Sequence, residues 1–167
     1  MSETNNLSGW VFPEDIVVSK TNFVPGHMTI AHDSEALISP VFEDRDAAFE
    51  WLKDEVAMMH GNAIFDIEFS DMNDQGEHWF SGRAALIAKR ESMASSDDAL
   101  ESKHYARSTR QAFQKELARV NKERAEEKAA QAAYEAQRKR RKAILMKVAA
   151  CVAVLSIGSG LVYALPV

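Results

Sequence analysis

The stretch Arg45–Ser70, RDAAFEWLKDEVAMMHGNAIFDIEFS, changes its hydrophobic period halfway along, and that change decides the fold. Ala48, Leu52, Val56 and Met59 recur at helical spacing and mark one face of a helix over Asp46 to His60, widened by Phe49 and Trp51 and stopped by Gly61. Phe65, Ile67 and Phe69 then alternate with Asp66 and Glu68, the period of a half-buried strand. Leu52, Val56, Met59, Phe65, Ile67 and Phe69 are therefore the expected packing residues of a head domain.

Outward from this stretch the signals are those of short strands. DIVVSK and HMTIAH flank the turn signal NFVPG, and EALIS follows, so two or three strands precede the helix. On the other side DMNDQGE supplies a turn into a closing strand, HWFSGRAALIAKR. The expected fold class is α+β, a small antiparallel-rich sheet with one packed helix, followed by a long charged α-helix and a C-terminal transmembrane helix. The expected organisation is a flexible N-terminus over 1–10, the head over 11–92, a linker and N-cap over 93–97, a charged helical stalk over 98–142 and a membrane anchor over 143–167.

Three blocks of the head resemble the YbjQ-like family, named for a heavy-metal-binding domain. TNFVPG at Thr21 to Gly26, HGNAIFDIEF at His60 to Phe69 and FSGRAALI at Phe80 to Ile87 are similar to the family's opening turn, central strand and closing strand, in the same order. The resemblance covers residues from about 16 to 90, roughly half of the chain, and none of the stalk or anchor. It implies a head that forms small ring-like homo-oligomers. Two features depart from the family: the loop PVFEDRD is short, and Arg83 stands where a small residue is usual.

The charge is divided along the chain. Residues 1–97 hold 6 of the 20 Lys/Arg and 18 of the 25 Asp/Glu, so an acidic front half precedes a basic rear half. From Asp98 to Lys142 there is no Gly or Pro, and Ser95, Ser96 and Asp97 offer an N-cap, which predicts one helix roughly 65 Å long. Phe113, Leu117 and Val120 form a short seam, but Arg124 and Glu127 occupy its next positions, so the heptad of a coiled coil is not sustained. Glutamates interleave with the cations until Arg138, Lys139, Arg140, Arg141 and Lys142, a purely basic block suited to anionic lipid and to fixing topology.

Beyond that block, Val148 to Val167 is an apolar run of roughly the length that crosses a hydrocarbon core as a helix. The basic flank lies on its N-terminal side, which predicts a tail-anchored, single-pass protein with a cytoplasmic N-terminus. The family resemblance implies a bacterial inner membrane. Ala149, Ala153, Ser156, Gly160 and Ala164 fall on one helical stripe of small residues, a candidate surface for self-association in lipid. Cys151 is the single cysteine, so no intrachain disulfide forms, and MSETNNLSGW carries no secretory signal.

Little chemistry is legible. His27, His32 and His78 are the weak metal candidates, and His27 and His32 are five apart, poor chelating geometry for a regular strand. DMNDQGE lacks the ligand spacing of a calcium loop. No nucleophile elbow, phosphate-cradling glycine loop or dinucleotide fingerprint is present, so no catalytic residue and no cofactor are expected. Glu43, Asp44 and Asp46 suit the start of the helix, and the head's acidity disfavours nucleic acid despite Trp79, Phe80 and Arg83. The reading is a tail-anchored, non-enzymatic interaction or assembly module whose partners are the bilayer, a second copy through the head or the anchor, and an unidentified protein. The alternative is an anchored sensor whose head binds a metal or small molecule. An enzyme would need a site the sequence does not display.

Overall fold

The computed structural model describes residues 8–72 and 77–162, and the surroundings of side chains over 8–69 and 77–146. The elements run β1 Ser8–Val11, β2 Val17–Val18, β3 Met28–His32, β4 Leu37–Ile38, α1 Arg45–Met58, β5 Ala63–Met72, β6 Glu77–Ser92 and α2 Ser96–Val162. Two compact units divide the chain, Met1–Val120 and Asn121–Val167.

In the first unit a six-stranded sheet is organised on β6, which pairs antiparallel with β1, β3, β4 and β5 at successive positions. β2 pairs parallel with β5, so the sheet is mixed, with one parallel pair in an otherwise antiparallel set. The parallel pair is reached by the long connection through β3, β4 and α1, since parallel neighbours need a crossover. β1 arises within and just beyond the stretch expected to be a flexible terminus; its partner is the far end of β6, which no local signal in SGWV reveals.

Strand alternation sorts side chains to two faces. Ile64, Ala84 and Leu86 join Ala48, Leu52, Val56 and Met59 of α1 in the main core, while Ala63, Phe65, Ala85 and Ile87 form a second cluster under Val17 and Val24. The expected single row Phe65, Ile67, Phe69 is broken between its first two members. Asp66 has φ 50°, and the register with β6 shifts between Phe65 and Glu68, a bulge that returns Ile67 to the face of Ile64. Arg83 forms an ion pair with Asp66 across the bulge.

α1 starts at Asp44, whose carboxylate accepts the Asp46 N–H at 2.9 Å. Asp44→Ala is expected to cost about 1 kcal/mol, read as a lower urea midpoint with an unchanged slope. At its other end the left-handed residue is His60, φ 59°, and not the expected stop Gly61. Gly61 serves close approach instead: a Cβ there would stand 2.8 Å from Val56 Cγ1. Gly82 has the same role against Ile64 Cγ2, at 2.5 Å, which accounts for the Ser81–Gly82 pair in the closing strand.

α2 begins where Ser95 Oγ accepts the Asp98 N–H at 3.1 Å. Its early part is no free stalk. Phe113 is fully buried in the main core, with Leu117 and Val120 packed against that core, so the short seam belongs to the head's own interior, which α1 and the sheet share. In the second unit α2 is charged on the surface, with Lys122 and Glu126 paired at 3.8 Å and the block Arg138 to Lys142 exposed.

The membrane reading is corrected. Among the described residues no helix is long and apolar enough to cross a membrane. The transmembrane helix and the single-pass location at a bacterial inner membrane are withdrawn with it. The small-residue stripe lies outside the described side chains, and Ala164 outside the described residues altogether.

Candidate functional site

The outer edge of β5 is covered at one end and open at the other. Val17 and Val18 pair with Ala63 and Ile64, and the Ser19 carbonyl accepts the Ile67 N–H at 3.2 Å. From Glu68 to Met72 no strand pairs with this edge among the described residues. An open edge presents alternate N–H and C=O groups, a template for one more strand.

Beside the edge lies a groove of about 730 Å³, lined by Phe49, Ile67, Phe69 and Phe80, with Lys20 and Arg45 at its margin. Phe80 is anchored in the main core, and its ring centroid stands 5.2 Å from Phe49 and 4.8 Å from Phe69. Phe69 remains 37% exposed, too much for a core residue and enough for a contact surface. The Arg45 guanidinium sits 4.5 Å from the centroid of Phe69 and 6.0 Å from that of Phe80. This attraction holds a charged group over the aromatic floor. Neither Lys20 nor Arg45 forms an ion pair among the described residues.

The expected packing residues thus divide three ways. Leu52, Val56 and Met59 are buried in the main core, Phe65 is buried on the opposite face, and Ile67 and Phe69 line the groove. Sequence spacing missed Arg45 and Phe49 as site residues; the aromatic at the start of a helix, followed by an exposed strand phenylalanine, is the only signal that could have raised them.

The histidines are not brought together. His27 Nδ1 lies 3.2 Å from the Pro25 carbonyl, His32 Nδ1 lies 2.9 Å from the Asp33 carbonyl, and His78 stacks at 5.8 Å on Phe69. Asp33 is fully buried and accepts the Glu35 N–H at 3.0 Å, a turn-closing role. Among the described residues no group of three or more His, Cys, Asp or Glu could hold a metal ion. Asp71 and Asp74 lie outside the described side chains.

A second cleft, of about 510 Å³, runs between Phe12–Ile16, the end of α1 and α2, with His60, Asn62 and Tyr105 in its wall. Asn62 is committed to the fold by two hydrogen bonds to the Ile87 backbone. On α2, a hydrogen bond from Arg119 Nε at 2.7 Å holds the Glu116 carboxyl below the usual carboxylate range, an ion pair of the helix surface.

No protein-family model, no curated protein and no solved structure matches the chain.

Proposed function

We propose that the head is a non-enzymatic interaction module that takes an extended segment of a partner protein along the open edge of β5. The observation that carries this reading is the coincidence of an unpaired strand edge, Glu68 to Met72, with an aromatic groove directly beside it. Strand addition uses both features: backbone hydrogen bonds give affinity, and alternate side chains of the incoming strand enter the groove. Lys20 and Arg45 at the groove margin favour an acidic residue on the partner beside them, whereas Asp46 and Glu68, which also line the groove, disfavour one elsewhere along it.

The backbone supplies a test that separates strand addition from simple apolar contact. The Ile67 N–H points outward to Ser19, so strand alternation points the N–H groups of Phe69 and Asp71 outward as well. Proline at position 71 removes one of these donors while sparing the bonds to β6. The probe is a fluorescein-labelled ten-residue peptide alternating valine and glutamate, titrated against the full chain by anisotropy. Saturable binding that weakens about tenfold in Asp71→Pro and in Phe69→Asp is the expected result, one hydrogen bond or one apolar contact being worth roughly that much. Absence of binding, or binding indifferent to both substitutions, would sink the reading. Light scattering that shows a dimer abolished by Asp71→Pro, with no peptide bound, would instead assign the edge to a second copy of the chain.

A further inference from the structure

A third cavity, of about 350 Å³, opens between β1, β3 and the first turns of α2. Trp10, Met28 and Ile30 give it an apolar wall, and Lys103, Arg107 and Arg110 face them from the helix. The three cations follow one another at spacings of four and three, so they occupy one helical face as like-charged neighbours, an arrangement that disfavours the helix. Among the described residues no carboxylate pairs with any of them. Elsewhere on α2 the pattern is different, Arg119 pairing with Glu116 and Lys122 with Glu126. An uncompensated cluster of three in a chain of net charge −5 needs a reason.

Trp10 is held for a purpose compatible with that cluster. Its backbone N–H donates to Ser102 Oγ at 3.2 Å, tying β1 to α2, and the Arg90 guanidinium lies 5.3 Å from its ring centroid. Arg90 in turn donates to Ser8 Oγ at 3.0 Å. Gly9 is closed in by the Met93 and Ser102 side chains, which fixes the strand that carries the indole. A positioned aromatic wall and a cationic wall therefore face one small space.

We propose that this cavity binds a small phosphate-bearing ligand with a flat ring, of the nucleotide class, its phosphates on Arg107, Arg110 and Lys103 and its ring against Trp10. Guanidinium forks match phosphate oxygens in paired hydrogen bonds, and the ammonium adds a point charge. The volume lies at the small end of ligand pockets, which suits a mononucleotide and not a polymer. The site is separate from the β5 edge and does not depend on it.

The experiment is isothermal titration of the full chain with ADP, pyrophosphate and adenosine in turn. ADP should saturate with a dissociation constant at or below about 1 mM, and pyrophosphate should compete with it. Arg107→Ala with Arg110→Ala should weaken ADP at least about tenfold, while Arg119→Ala, on a paired arginine, leaves it unchanged. Trp10→Leu should weaken ADP but not pyrophosphate. Circular dichroism of each variant establishes that the helix is retained, as these cations are exposed. No saturable binding of ADP or pyrophosphate, or ADP binding unaffected by the double substitution, would overturn the proposal. So would tighter, steeply salt-dependent binding of a short thymidine oligonucleotide, which would mark a nucleic-acid surface.

Discussion

Phe113→Ala is expected to destabilise the head by about 3–5 kcal/mol, the range for truncating a fully buried phenylalanine. That loss is a large part of the stability of an ordinary domain, so much of the variant should be unfolded under mild denaturant. Tyr134→Ala, on a side chain 67% exposed in the second unit, should change little by comparison. Urea melts followed by tryptophan fluorescence distinguish the two, because Trp10, Trp51 and Trp79 all lie in the first unit. A Phe113→Ala midpoint equal to that of the parent chain would mean that the start of α2 does not belong to the core. The same reasoning applies to fragments: a chain ending at Arg90 lacks Phe113, Leu117 and Val120 and leaves the main core without the side chains that complete it.

Asn62→Ala is the second large effect. Asn62 Nδ2 donates to the Ile87 carbonyl at 2.9 Å, and its Oδ1 accepts the Ile87 N–H at 2.8 Å. The side chain thus stands in for a strand residue beside β6, at a position where Ile87 is 1% exposed. Alanine leaves two backbone groups without partners, at about 1–3 kcal/mol for each, and a total of about 2–6 kcal/mol is expected. Asn62→Asp adds a sign test. Only the protonated carboxyl can donate to the Ile87 carbonyl, so folding raises its pKa, and the stability it restores is present at low pH and lost as pH rises through that raised pKa. Denaturant midpoints of this variant that rise with pH would refute the assigned geometry.

The parts of the fold written in local periodicity were legible in the sequence. Ala48, Leu52 and Val56 face the core from a helix where their spacing places them, β3 lies within its expected stretch, and β5 and β6 cover theirs but run on into the expected turn, to Met72 and from Glu77, with β6 also extending to Ser92. What depended on distant partners was not. SGWV becomes a strand because residues 89–92 wait for it, and no alternation in four residues announces that. Phe113, Leu117 and Val120 have the spacing of a coiled-coil seam, yet a helix packed on its own domain's core for about two turns uses the same spacing. Asp66 inverts the strand by adopting φ 50°, and an aspartate in the middle of an alternating run gives no warning of it. The terminal apolar run illustrates the converse: composition pointed to a membrane span that the described helix does not supply. The candidate site was the least legible part, because an unpaired edge is a property of the assembled sheet and not of any residue in it.

The central place of β6 also sets an entropic order within the sheet. β5 and β6 meet first at Met72 and Glu77, close neighbours along the chain, whereas Ser8 and Arg90 are bonded across 82 positions. Closing a loop of that size costs about 4 kcal/mol by its logarithmic length dependence, several times the cost of closing a tight hairpin. β1 is therefore the strand whose attachment is most expensive in chain freedom, and it adds only four residues of pairing in return. The bond from the Trp10 backbone N–H to Ser102 offsets part of this, about 1 kcal/mol, and fastens β1 to a helix as well as to a strand. The two ends of the head's sequence hold each other in place, and loosening either one loosens both.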